Sequence, residues 1–480
     1  MSFKGDSLMK TQCNPSQLEF HALGQRKVVT KFDGGNITSD AGGLLLRETE
    51  KRTGILKGFA DCFEDLRNQK MIEHPIADLI TQRVYGLALG YEDLNDHDNL
   101  RQDPLVALLV GKEDPEGETR VRQRDKGKAM AGKSTLNRLE LTPAKPTAEE
   151  QRYKKIIMKP EQIDQLFVDI FLQAHGEAPE EIILDVDATD DPLYGKQENR
   201  FFHGYYMNYC YLPLYIFCGE FLLCARLRPS NIDASEGTVE ELERIVSQIR
   251  SAWPEVRIVV RGDSSFCREE IMSWCEAQKI DYVFGFAKNE RIKAIIREEL
   301  QRAQQLYEET KEAARVFKDF RYQTLHSWTR ERRLVAKAEY LAKGANPRFV
   351  ATSIKTEQMD TRTLYEQLYC GRGDMENRIK EQQLWLFADR TSAGRMRANQ
   401  LRLYFSSVAY MLMQALRRLG LRGTQMAKAQ CNTIRLKLLK IGAQIKITVR
   451  KVWVSLAGGY PYIDLFCQVY RNLQTQPLRC

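Results

Sequence analysis

Between residues 181 and 286 the chain carries apolar runs of strand length, joined by tight turn signals or by single amphipathic helices. That succession restricts the fold more than any other feature of the sequence. EIILDVD (181–187) reads as a strand, and two more follow at about 208–217 and 221–227. A helix is expected over 235–249, with Val239, Leu242 and Val246 on one face. A strand at 256–260, a helix at 268–278 and a strand at 282–286 complete the series. Antiparallel neighbours followed by crossover helices predict a mixed sheet with helices packed on it, an α/β fold. The stretch 209–227, YCYLPLYIFCGEFLLCARL, has the length of a membrane span but holds Pro213, Gly219 and Glu220. Those residues predict two buried strands joined at Cys218-Gly219-Glu220 instead.

On either side the rhythm differs. The first 140 residues read as short helices: Leu44, Leu45 and Leu46 follow Ser39-Asp40, Ile76, Leu79, Ile80 and Leu87 recur at helical spacing, and Asp103-Pro104 opens LVALLV as a cap with proline in the first turn. Pro143 and Pro146 mark an expected linker. Over 290–365 a charged helix leads into strand-like pieces, FRYQTLHSW, RRLVAKAEYL and RFVATSI, expected as a β-rich insertion. Helices resume near Met375. The expected division is a mainly helical N-terminal region (1–150), a core in two parts (151–290 and 366–455) split by the insertion (291–365), and a tail (456–480).

With 480 residues and a net charge of +8 the chain favours a polyanionic partner. The charge is concentrated. Between Asp389 and Asp464 there is no acidic residue and there are fourteen basic ones, from Arg390 to Lys451. A solvated face usually mixes both signs, so this stretch is expected to meet a phosphate backbone. Eleven cysteines without a C-x-x-C pair argue against a disulfide framework or zinc site, and Met1 to Thr11 lacks the apolar core of a secretory signal. A cytoplasmic protein with no membrane segment is expected.

Two motifs bear on chemistry. Gly127 to Ser134 matches G-x4-G-K-[ST], but a phosphate-binding loop needs a buried strand before it, and GETRVRQRDKGK supplies none. A basic loop running into a helix capped by Ser134 is expected there. The other is a set of separated carboxylates. Asp185 and Asp187, two apart on a strand, point to one side of the sheet. Asp263 follows IVVRG, and Glu376 lies in the first turn of a later helix. If the strands at 181–187 and 256–260 are neighbours, Asp187 and Asp263 sit side by side, where they repel unless a hard cation lies between them. In YCGRGDMENRIKE, Tyr369, Arg372, Glu376 and Lys380 follow helical spacing, although Gly371 and Gly373 predict a helix that starts at Asp374, with Tyr369 and Arg372 on its entry loop.

Tyr369-x2-Arg372-x3-Glu376 resembles the Y-x2-R-x3-E signature of DDE transposases from bacterial insertion sequences. LDVDAT and VVRGDSSF resemble their two aspartate motifs, and TSDAGGLLL with RGDMENRIKE is similar to the insertion-sequence family numbered 1380. The resemblance spans about residues 30 to 455. It implies an RNase H-like catalytic core, whose strand order matches the one above, and Mg²⁺- or Mn²⁺-dependent cleavage by two ions at element ends. Transfer into target DNA, action as a homodimer on double-stranded DNA, and DNA binding by the N-terminal region (1–150) are implied too. Asp187, Asp263 and Glu376 would be the metal ligands; Tyr369, Arg372 and Lys380 would contact DNA. In this branch an aromatic of the insertion stacks on a flipped base, and Trp328 is the candidate, against the alternative of a core tryptophan. The signature often continues with lysine seven residues after the glutamate, where this chain has Gln383.

Overall fold

The computed structural model describes residues 17–142 and 155–477. The expected linker at Pro143 and Pro146 and the extreme N-terminus lie outside the described residues. The principal sheet has nine strands. Eight of them form one path: β1 (Glu181–Ala188), β2 (Leu214–Cys218), β3 (Phe221–Arg226), β4 (Arg257–Gly262), β5 (Asp281–Phe286), β6 (Ala314–Tyr322), β7 (Arg332–Leu341) and β8 (Arg348–Thr352). Their spatial order is β3-β2-β1-β4-β5-β8-β7-β6, and the two-residue strand Gly344–Ala345 pairs with β7 off that path. β4 lies parallel to both β1 and β5, and the remaining pairs are antiparallel. The sheet is therefore mixed, as the order of apolar runs predicts. β2 and β3 form the expected hairpin, turning at Gly219 with φ +57°.

Both faces of the central strands are covered, which is why they read as unbroken apolar runs. Ile182, Leu184, Val186, Ile258 and Val260 share one core with Leu242, Ile245 and Val246 of α1 (Thr238–Ala252) and Met272 of α2 (Glu269–Ala277). The alternate residues Val259 and Val283 face Leu364, Tyr365 and Leu368. Over 361–386 the chain is helical throughout, widened at Leu364–Tyr369, tight at Cys370–Arg372, and regular in α3 (Gly373–Leu386). The insertion does not build a sheet of its own: β8 hydrogen-bonds β5, and β7 and β6 extend the same sheet outward.

Two features depart from the expected organisation. The N-terminal region opens with strands Gln17–Leu23 and Arg26–Lys31, hinged at Gly24 (φ +63°), before its helices begin. The alternation in QLEFHAL and the β-branched VVT of the second strand explain this. The N-terminal helices also do not close a core alone. Leu45, Phe59, Leu79 and Tyr85 share one with Leu401, Phe405, Val408 and Leu412 of α4 (Met396–Leu419), a helix buried along most of its length. No helix among the described residues is long and apolar enough to cross a membrane.

Candidate active site

Strand parity determines which side chains converge. Ile182, Leu184 and Val186 enter the core beneath α1, so Ile183, Asp185 and Asp187 face the helical run over 361–386. Gly262, the last residue of β4, pairs with Val186, so Asp263 follows it close to Asp187 of β1 and acts on that carboxyl. Asp263 leaves the sheet in a turn held by its own carboxylate, which accepts from the Ser265 amide at 2.8 Å.

Arg372 closes the third side. Its guanidinium donates to Glu376 at 2.6 Å and lies 3.5 Å from Asp187. Burial pushes the Asp187 carboxyl up to about 7; Arg372 opposes that rise, while Asp263 and Glu376 add to it. The three acids therefore share one electrostatic site, with a guanidinium between two of them. Among the described residues no three metal-ligating side chains are drawn together tightly enough to hold an ion. The donor set is nonetheless all oxygen and short of positive charge, which suits a hard divalent cation.

The predicted residues divide clearly. Tyr369 and Arg372 sit on the helical run and not on an entry loop. A β-carbon at Gly371 would lie 2.6 Å from an Arg261 nitrogen; the glycine marks a close approach, not a break in the helix. The Tyr369 hydroxyl lies so near Gly285 that a β-carbon there would stand 2.6 Å from it. Its ring is therefore seated against β5 beside Asp263. Lys380 is exposed one turn beyond Glu376. Asp185 is excluded from the site. Its carboxylate is held by Arg261 at 2.5 and 2.8 Å, and Arg261 also donates to the Leu368 carbonyl, tying β1 and β4 to the helical run.

Trp328 does not offer a face to a base. It is 6% exposed and packs edge-on against Phe286 and Tyr322, with Arg332 over its ring. The core alternative is the one observed. The phosphate-loop match lacks the strand that such a loop needs: its helix, Lys133–Glu140, begins ahead of Ser134, which does not cap it, and the Lys133 amide and ammonium are taken by Asp98 and Asn95. TSDAGGLLL forms a structural joint. Asp40 is buried, accepts from Tyr91 at 2.6 Å and pairs with Lys440, and Gly42 lies directly against the Leu438 carbonyl.

Sequence reasoning also missed what lies behind the site. Gln383, where the signature often has lysine, donates to the buried Asp191 at 3.0 Å and to the Asp190 carbonyl at 3.2 Å. Burial raises the Asp191 carboxyl well above its ordinary range. The acid-free segment is acid-free only along the chain. Arg402 pairs with Glu140, Arg417 with Glu381, Arg390 with Glu92 and Lys440 with Asp40, while Arg435 caps carbonyls at Leu87, Ala88 and Trp385. Beyond these, seven of the fourteen cations are exposed: Arg395, Arg422, Lys428, Lys437, Lys446, Arg450 and Lys451.

Residues 20–478 match the family described as Transposase DDE domain group 1. The chain belongs to that family. This DDE transposase family member matches no curated protein. Among solved structures it is similar to a piggyBac transposase, seen by cryo-electron microscopy as a synaptic complex with hairpin DNA. Sequence identity is 12% and the TM-score 0.39, over 84% of this chain and 80% of that one.

Proposed function

We propose that this DDE transposase cuts double-stranded DNA at the terminal repeats of its own element and joins the freed ends to target DNA, through Asp187, Asp263 and Glu376. On this reading the three-stranded centre β1-β4-β5 is the heart of an RNase H-like core, and the chain groups with the insertion-sequence family numbered 1380. The observation that carries the reading is the Arg372 guanidinium shared by Asp187 and Glu376 beside Asp263. With a divalent cation among the three carboxylates, the guanidinium would be released to pair with a phosphate.

In the first step a water oxygen bonds to phosphorus at the element end, the bond from phosphorus to the 3′ oxygen breaks, and that oxygen leaves as a hydroxyl. In the second, the hydroxyl attacks a target phosphodiester, forming one phosphorus–oxygen bond as another breaks. Divalent magnesium or manganese, two ions by family resemblance, supplies Lewis-acid stabilisation when bound among the three carboxylates. Arg372 then turns to the phosphate, Tyr369 fixes the strand beside Asp263, and Lys380 and the exposed C-terminal cations contact the backbone. Two subunits act on a pair of ends, in the bacterial cytoplasm at the nucleoid.

The test is Mg²⁺-dependent cleavage of linear DNA carrying the element's ends, wild type beside Glu376→Gln. Cleavage by wild type alone supports the carboxylate assignment. Cleavage by both places the metal elsewhere. End binding without cleavage by either protein supports a non-catalytic regulator derived from a transposase.

A further inference from the structure

Gln383 lies seven residues after Glu376 on α3, so two turns of helix, about 10 Å, separate them along one face. Its side-chain amide donates to the Asp191 carboxylate at 3.0 Å and to the Asp190 carbonyl at 3.2 Å. Asp191 follows Asp187 by four residues, in the short strand Asp191–Pro192 that pairs with Cys210 and Tyr211. Asp187 and Glu376, the two acids of the site furthest apart in sequence, are therefore joined twice. Arg372 joins them directly, donating to Glu376 at 2.6 Å and lying 3.5 Å from Asp187. Gln383 joins the segments that carry them, behind the site.

The second joint is closed to solvent. Asp191 is fully buried, and its other carboxylate oxygen has no hydrogen-bond partner among the described residues. Besides Gln383, the groups that act on it are the acids Asp389 and Asp190. A carboxyl buried without a cation takes up a proton, and a neutral amide suits a protonated acid, which accounts for glutamine where the signature often has lysine. Both sides of the joint are held in turn. The Asn208 amide donates to the Asp190 carboxylate at 3.0 Å. On the helix, Arg378 pairs with Glu220 at 2.8 Å and Glu381 with Arg417 at 2.5 Å. The Arg372 joint is different, because a guanidinium that turns to a phosphate lets go of the acids. The Gln383 amide is then the side-chain hydrogen bond that still links α3 to the segment leaving Asp187.

We propose that Gln383 is a positioning residue for DNA cleavage: by holding Asp191 it sets the separation of Asp187 from Glu376, and with it the affinity of the carboxylates for a divalent ion. This rests on the function proposed above. Gln383 touches neither the ion nor the DNA; it acts through the two acids whose segments it joins.

The experiment compares full-length wild type, Gln383→Ala, Asp191→Ala, the double alanine variant and Asp191→Asn. Leu473→Ala, which loses a fully buried side chain outside the site, is the control for lost stability. Urea midpoints read the joint itself: the double variant should fall by less than the sum of the two single ones, because both remove one contact. End cleavage over a Mn²⁺ series reads positioning. Each single alanine variant is expected to need about tenfold to a hundredfold more Mn²⁺ for its half-maximal rate, the span that partners behind a metal's ligands supply, and to come within about threefold of wild type once Mn²⁺ saturates. Binding of the ends in EDTA should match wild type. Asp191→Asn keeps the size of the acid and the oxygen that Gln383 needs, so its Mn²⁺ dependence should be that of wild type. Strict additivity in urea overturns the proposal. So does an Asp191→Asn protein that behaves as Asp191→Ala does, or an equal shift in Mn²⁺ dependence on Leu473→Ala, which would make the effect one of stability alone. Wild type that cleaves at no Mn²⁺ concentration overturns the transposase reading itself, and the positioning role with it, whatever the urea midpoints give.

Discussion

At the scale of single residues, Arg372 is the cation that pairs with both Asp187 and Glu376. Removing it leaves Asp187 and Glu376 facing each other with nothing between them. Arg372→Ala should therefore show a larger rise in melting temperature on adding Mn²⁺ than wild type does, read by scanning fluorimetry, even as end cleavage falls about a hundredfold or more. Asp187 makes a second test. Its carboxyl titrates at about 7 in the fold and near 3.8 when unfolded, so between those values the folded state holds the extra proton. Stability contributed by the protonated form is complete below about pH 4 and is lost as pH rises through 7. In EDTA the unfolding free energy should fall across that window by at most about 4 kcal/mol, the equivalent of roughly three pH units. Asp187→Asn should flatten the slope, and urea melts at pH 5 and pH 8 would measure it. A slope that Asp187→Asn leaves unchanged would mean that burial does not raise this carboxyl.

At the scale of elements, the helical run and the sheet are fitted through glycines. Gly285→Ala would drive a β-carbon to 2.6 Å from the Tyr369 hydroxyl and 3.0 Å from the Ser264 amide. A cost of about 1–3 kcal/mol is expected, partly relieved in the double variant with Tyr369→Phe; additive effects in denaturant melts would refute the close approach. This scale also shows what the sequence could reveal. The runs at 181–187 and 256–260 were legible because a strand covered on both faces must be apolar throughout, and the acids at their ends stood out against that background. The helix before Asp374 was not legible. Gly371 and Gly373 lower helix propensity, and the close approach of Arg261 to Gly371 is a tertiary fact. Trp328 was ambiguous for a related reason: HSWTRERR is polar, and its burial depends on Phe286 and Tyr322.

For the whole molecule, linear charge counts mislead where acids arrive from distant segments. Arg417 and Glu381 are both almost fully buried, 2.5 Å apart. Arg417→Leu should cost about 3–5 kcal/mol by stranding the glutamate, seen as a lower urea midpoint. Lys446→Ala, Arg450→Ala and Lys451→Ala together should leave that midpoint unchanged. If these cations meet DNA, the triple variant should shallow the dependence of end binding on log salt by about one for every phosphate it no longer neutralises. An unaltered slope would move the DNA path off this surface.

The sharing of α4 between the N-terminal helices and the sheet has a consequence for biosynthesis. Arg52 donates to the Leu473 carbonyl, a separation of 421 residues, and Leu45, Phe59 and Tyr85 complete their core with side chains from 401 to 412. At about 5–20 residues per second, a ribosome that has finished the N-terminal helices needs tens of seconds more to deliver the helix that covers them. Through that interval the nascent chain carries uncovered apolar faces. A translation product that ends before α4 lacks the helix that covers the N-terminal core, and one that ends before Glu376 lacks the third carboxylate as well.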